Sequence, residues 1–489
     1  MENIRKIKYI NNLLKTKQIS CVELTNKYLN AINKYNKELN AYITVTNDLA
    51  IKSSEVIDKQ IAKGNEIPLL AGIPMTIKDN ISTKGILTTC ASKMLSNYMP
   101  IYDATVYKLL IDNGCILLGK TNMDEFAMGS TCETSYFGVS SNPHNIDYVP
   151  GGSSGGGASA VSGNLAVFAL GSDTGGSIRQ PASFCGIVGF KPSYGTVSRY
   201  GLIALASSFD QIGPMTTSVE DASIVYDTIS KYDPNDSTSI GHQGLPSINT
   251  LRDAIMCKNI GIIEEFFEYA NDEVKKSMEK VIDVYKCLGG KIVHLSIKSI
   301  KYALPIYYIL SCAEASSNLG RYDGVRYGYR TSQYKDIDEM ICKTRDEGFG
   351  KEVKHRILLG TYVLSSSCYD TYYKKAQSIR ASIIQDFDNV FKNCDVILAP
   401  TSPYTAFKKN YTFNDTMETY ANDICTVPVN IAGLPSISIP CGFGSNNMPI
   451  GFQVIGNKFC DSQVLNVAYA YEFATKGTSF RSVDKGVKL

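Results

Sequence analysis

The segment NLAVFALGSDTGGSIR, residues 164–179, runs an apolar stretch directly into a loop of glycine, serine and threonine. Residues 164–170 have the length and composition of a buried strand. The GSDTGGSIR that follows (171–179) is dense enough in glycine to turn tightly and to aim several backbone N–H groups at one point. Ile178, Pro181 and Phe184 continue the apolar character, so the loop reads as interior rather than as a surface turn. GGSSGGG (151–157) has the same character. Fixed donors of this kind suit an oxyanion hole, which must already face the negative oxygen of a tetrahedral intermediate.

Outward from this point the chain alternates short apolar strands with helices. Ser20 and Glu23 form a capping box, followed by Leu24, Tyr28, Ala31 and Ile32 on one helical face. GIPMTI (72–77) reads as a strand that delivers Lys78. Residues 104–113 predict a helix stopped by Gly114, with a strand at 115–118. Residues 272–287 are a periodic helix closed by Gly289 and Gly290, and 351–387 are mostly helical. Further strands fall at 395–398, 436–439 and 450–455. This alternation predicts an α/β fold, a large mixed β-sheet core covered by helices on both faces. We expect a single domain over 1–489, with an N-terminal helical segment at about 1–65 and a core at about 70–215. Residues 232–249, rich in Ser, Asp, Asn, Gly and Pro, form a surface excursion whose flanks both feed one sheet.

Hydrophobic residues at 44% and charged residues at 20% are ordinary globular values. A formal charge of +2 gives no electrostatic reason for direct contact with nucleic acid or an anionic membrane. None of the 14 cysteines falls in a C-x-x-C pair, so reduced, buried thiols are expected rather than a disulfide framework. MENIRKIKYI lacks the apolar core of a signal peptide, and no run is long enough to span a bilayer. These features predict a soluble cytoplasmic protein.

Three motifs match a pattern but not its physics. GCILLGKT (114–121) fits the P-loop spelling, yet Cys, Ile, Leu and Leu favour a buried strand over a flexible phosphate cradle. Asp173-Thr174-Gly175 is half an aspartic-protease site with no second half. GGSSG (151–155) fits the nucleophile elbow, which needs a histidine base. Of His144, His242, His294 and His355, none lies in a convincing context, and no two are spaced as metal ligands.

A serine hydroxyl is a poor nucleophile until its proton is removed. Lys78 is the remaining candidate base, because burial at a strand end disfavours its charged form and brings a neutral amine within reach at neutral pH.

Together Lys78, GGSSGGG and GSDTGGSIRQPASFCG resemble the amidase-signature family over nearly the whole chain. The resemblance implies Ser177 as nucleophile, Ser153 as a bridging serine preceded by a cis peptide bond, and Lys78 as base. It further implies Thr174, Gly175 and Gly176 as oxyanion-hole N–H donors. Gly157 stands where many members carry another serine.

Residues 313–330, 348–362 and 420–440 resemble, within that family, the glutaminase branch that serves tRNA-dependent amidotransferases. That likeness implies Arg356 and Asp423 gripping the carboxylate and α-amino group of glutamine, as suits a guanidinium and an acid. It implies partner subunits B and C, ammonia passed to the partner, tRNA held mainly by the B subunit, and ATP with Mg²⁺ at the partner. No cofactor is expected in this chain. Tyr307 would line the pocket or the tunnel mouth, or else be a buried core tyrosine. A stand-alone amidase acting on another carboxamide is the alternative, and it would need neither Arg356 nor Asp423.

Overall fold

The protein is described by a computed structural model covering residues 6–241, 246–252, 254, 255, 257–411, 421–476, 486 and 487. His242 lies outside the described residues. Its centre is an 11-stranded sheet of order β1-β3-β2-β4-β6-β5-β10-β11-β9-β7-β8. The strands are β1 (Tyr42–Val45), β2 (Pro74–Lys78), β3 (Ile116–Thr121), β4 (Phe168–Asp173), β5 (Val188–Lys191) and β6 (Gln211–Thr216). Then come β7 (Asn259–Ile263), β8 (Lys291–Leu295), β9 (Val396–Pro400), β10 (Ser436–Phe443) and β11 (Pro449–Gly456). β2 runs parallel to β3 and β4, and β7 parallel to β8 and β9, while the remaining pairs are antiparallel. The sheet is mixed, as expected, and both flanks of residues 232–249 contribute to it.

Strand alternation sends neighbouring side chains to opposite faces. Val396 and Leu398 of β9 join the apolar cluster built with helices Asp272–Cys287 and Asp461–Ala474. Ile397 and Ala399 join the other cluster, with helices Ala303–Asn318 and Lys375–Val390. Helices therefore cover both faces. Among the described residues no helix is long and apolar enough to cross a membrane.

Several boundaries differ from expectation. The N-terminal segment is helical at Lys6–Lys15, Cys21–Leu39 and Asn47–Ala62, but it also contains β1. The β-favouring run Tyr-Ile-Thr-Val pairs antiparallel with β3 and forms one edge of the sheet. The strand read at 164–170 begins only at Phe168 and continues through Asp173. Asn164 adopts φ 56°, and Leu165 N donates to Ala160 O at 2.8 Å, a turn that ends helix Gly155–Ser162 and uses up the first apolar residues. GCILLGKT behaves as its side chains dictate: Gly114, at φ 80°, follows helix Thr105–Asp112, and Ile116–Thr121 is fully buried β3. The 14 cysteines are all unpaired, and most are buried.

Candidate active site

Parallel pairing of β2 and β4 places their carboxyl ends side by side, the end of an α/β sheet where ligands bind. Ile77 pairs with Leu170, so Lys78 stands beside the start of the 171–179 loop. Its side chain is buried, and Nζ lies 2.8 Å from Ser153 Oγ, 2.9 Å from Ser172 Oγ and 3.3 Å from Ser172 O. The Gly152–Ser153 peptide bond is cis. Burial lowers the Lys78 amine; Asp124, Cys132, Asp173 and Asp210 oppose that effect, and the balance sets it at about 8. At neutral pH a usable fraction is therefore uncharged.

The two glycine-serine loops are laced together. Ser154 N donates to Ser177 O at 3.1 Å, and Ser154 Oγ donates to Ser172 O at 3.1 Å. Ser153 is wholly buried, whereas Ser177 keeps 8% of its surface exposed and is the more reachable hydroxyl of the two. The structure joins Lys78 to Ser153 but makes no hydrogen bond between Ser153 Oγ and Ser177 Oγ. Catalytic hydrogen bonds are commonly long in free enzymes and tighten around substrate. No described histidine takes the place of the lysine: His144 Nε2 lies 3.1 Å from Cys185 O, His294 is beside Glu264, and His355 is on helix Lys351–Val363.

Asp173, far from being half of a protease dyad, anchors the loop. Arg179 donates to it through Nε (3.1 Å) and Nη2 (3.1 Å), and through Nη1 to Gln453 Oε1 at 2.9 Å. Burial alone would raise the Asp173 carboxyl, but the guanidinium beside it holds it at about 2. Both partners are fully buried. Arg179→Met leaves that carboxylate uncompensated and is expected to cost about 3–5 kcal/mol in urea unfolding.

At the proposed oxyanion loop, Thr174 Oγ1 donates to Asp210 Oδ1 at 2.7 Å, and Thr426 Oγ1 donates to Gly175 O at 2.7 Å. Gly176 adopts φ 142°, and a Cβ there would come 2.2 Å from Thr426 Oγ1, so glycine is required. The N–H groups of Gly175 and Gly176 donate to no protein acceptor among the described residues. Tyr307 packs on the loop: a Cβ on Gly175 would be 2.8 Å from its Cζ.

Arg356, buried on helix Lys351–Val363, donates to Glu352 Oε1 at 2.7 Å, with its guanidinium 5.1 Å from the Tyr308 ring. It borders a cavity of about 180 Å³ together with Leu304, Tyr308, Cys312, His355 and Leu359. Asp423 ends the short turn Ala421–Asp423, and its carbonyl accepts Thr426 N at 3.0 Å, tying it to the residue that clamps Gly175. Burial pushes the Asp423 carboxyl up to about 8 against the pull of Arg356. The two form no ion pair with each other among the described residues, and Arg356 is paired with Glu352 instead.

Two residues at the site, Ser172 and Asp124, escaped sequence reasoning. Ser172 lies within the 171–179 loop, and recognising that the strand continues to Asp173 would have placed it beside Lys78. Asp124, which accepts Cys132 N at 2.9 Å and Thr134 Oγ1 at 3.0 Å, carries no such signal.

Lys78 and the two glycine-serine loops meet at the carboxyl ends of parallel strands, the arrangement expected of the amidase-signature family. The chain belongs to that family, whose model, described as Amidase, matches residues 23–465. It is 53% identical over 468 residues to the A subunit of glutamyl-tRNA(Gln) amidotransferase from Thermoanaerobacter pseudethanolicus, covering 96% of each chain. The corresponding protein of Caldanaerobacter subterraneus is 52% identical over 468 residues, again 96% of each. The crystal structure of the A subunit from Thermotoga maritima is similar with TM-score 0.77 and 40% identity, over 92% of this chain and 93% of that one.

Proposed function

We propose that this chain is the glutaminase subunit of a tRNA-dependent amidotransferase, releasing ammonia from glutamine for the conversion of Glu-tRNA(Gln) to Gln-tRNA(Gln). The observation that carries the chemistry is the 2.8 Å contact from the Lys78 amine to the hydroxyl of Ser153. Neutral Lys78 takes the Ser153 proton as Ser153 takes that of Ser177, and Ser177 Oγ attacks the side-chain amide carbon. The developing oxyanion faces the N–H groups of Thr174, Gly175 and Gly176. The C–N bond then breaks, the relay returns the proton to the departing ammonia, and water hydrolyses the acyl-enzyme to glutamate.

Arg356 and Asp423 select the substrate by holding the α-carboxylate and α-ammonium of glutamine. The relatives' name, an A subunit, supports membership in a multi-subunit amidotransferase. Subunits B and C as partners, tRNA mainly on the B subunit, ATP with Mg²⁺ at the partner and a cytoplasmic setting belong to the same proposal. The decisive experiment is ammonia release from glutamine, measured with and without the companion subunits; no release in either setting would refute the proposal. Arg356→Ala is expected to raise the glutamine KM roughly 10- to 100-fold with a smaller change in kcat, the range expected for lost charge-assisted hydrogen bonds. Unchanged glutamine kinetics in this variant would favour a stand-alone amidase acting on another carboxamide.

A further inference from the structure

The oxyanion loop is supported from two sides by segments far apart in the chain. On one side Asp210 accepts the Thr174 hydroxyl and is itself held through Oδ2 by Leu205 N (3.0 Å) and Ala206 N (3.1 Å). Its neighbour Phe209 lies edge-on to Tyr307 with ring centres 5.8 Å apart, and Tyr307 covers Gly175. On the other side Thr426 donates to Gly175 O, and Asn430 Nδ2 donates to Asp173 Oδ1 at 2.8 Å. These residues lie in and just before the short helix Val427–Ile431.

Arg380, on helix Lys375–Val390, touches both supports. Its guanidinium carbon sits 4.3 Å from the centre of the Phe209 ring. Nη1 donates to Ser208 Oγ at 3.2 Å and Nη2 to Ser208 O at 3.1 Å, while Nε donates to Ile431 O at 3.3 Å. Ser208 is fixed in turn by the Glu314 carboxylate, which accepts its N–H at 3.1 Å and its hydroxyl. Arg380 forms no ion pair among the described residues; its donors go to the two supports and its face to Phe209.

We propose that Arg380 is a positioning residue for the oxyanion loop, setting the spacing between the Ser208–Asp210 turn and the Val427–Ile431 helix and thereby the aim of the N–H groups of residues 174–176. The inference rests on the glutaminase reading of the site. A guanidinium is a rigid planar fork, so it fixes the distance between acceptors at its two ends, which a single ammonium cannot do. The Ser208–Asp210 turn leads directly into β6, whose Gln211 pairs with Asp173 at the end of β4. A change in the spacing of the two supports therefore reaches the loop at the strand end that carries it. Because oxyanion contacts strengthen as charge develops, the loss appears in kcat rather than in substrate binding. Lys78 is not touched by Arg380, so the pH at which activity rises stays where it is.

The test is ammonia release by the full chain assembled with its companion subunits, as a function of glutamine and pH. Arg380→Met keeps the apolar stem and removes the donors; Arg380→Lys keeps stem and charge but not the fork. Both are expected to lose kcat by about 10- to 100-fold, the scale on which a small misplacement of reacting groups costs rate. The glutamine KM should stay within about twofold and the pH midpoint unchanged. Added ethylguanidinium is expected to restore part of the rate to Arg380→Ala, which a purely structural role would not allow. An unchanged kcat, or a loss confined to KM, overturns the inference. Should Arg380→Met fail to fold, Arg380→Lys decides. Ser177→Ala separates the two claims: if it stays active, the glutaminase reading fails, and if it is inactive while both Arg380 variants keep their kcat, only this inference fails.

Discussion

Replacing Ser177 with alanine is expected to reduce glutamine-dependent ammonia release by on the order of 10⁴-fold or more, the scale seen when a serine nucleophile is removed from a hydrolase. The residual rate should be independent of Lys78, because the relay then has no hydroxyl to activate. Folding should be nearly untouched. Ser177 Oγ makes no hydrogen bond among the described residues, while its backbone carbonyl, which accepts Ser154 N, is retained by alanine. The expected change in unfolding free energy is within about 0.5 kcal/mol, as for substitutions that leave no buried group unpaired. Assembly with companion subunits should survive. Two measurements check this, the ammonia assay and a thermal melt of the same preparation. Activity within tenfold of wild type in the alanine variant would remove Ser177 from the mechanism.

Lys78→Met carries the second large effect. General-base catalysis contributes about 10²–10⁴-fold, and here the same amine both takes and returns the proton, so a loss near the upper end of that range is expected in kcat. The pH dependence supplies a sharper signature. With the amine at about 8, kcat of the wild type should rise with pH and level off above that value, because only the neutral amine can accept a proton. kcat/KM should rise more steeply still, since Asp423, also at about 8 in the free protein, must ionise to hold an ammonium group. Lys78→Met should lose the first dependence and keep the second. Stability moves in a defined direction too. The folded amine titrates below its ordinary 10.5, so the unfolded chain binds more protons between about pH 8 and 10.5. The contribution of Lys78 to stability should therefore rise with pH across that window, so the wild type should gain on the methionine variant there. A kcat profile flat through pH 8 in the wild type would contradict a neutral lysine as base.

Local signals were sufficient where one motif carries its own chemistry. Lys78 at the end of an apolar strand and the glycine-serine loops at 151–157 and 171–179 were identifiable from composition and spacing, and the resemblance they carry supplied roles for Ser153, Ser177 and the loop N–H groups. The apolar interior of GCILLGKT likewise foretold a strand rather than a phosphate loop, because buried Cys, Ile and Leu leave the backbone no freedom to cradle an anion. Element ends were less legible. The apolar run from Leu165 to Leu170 could not reveal that Asn164 would turn left-handed and delay β4 to Phe168, nor that the strand would carry on through two polar residues.

What the chain's order of residues determined by itself was the alternation of strands and helices, the buried thiols, and the lysine, serines and glycines from which the proposed amide-cleaving centre is built. Tertiary structure alone decided which groups surround that centre. Ser172 and Asp124 acquire meaning only when β4 and the 124–134 turn close around Lys78, and Asp210, Thr426 and Arg380 only when segments distant in sequence meet at one loop. The physical reason is that nucleophile, base and glycine turns are specified by local backbone and side-chain chemistry. Burial, charge and the aim of N–H donors are instead properties of the space between elements, which no single stretch encodes.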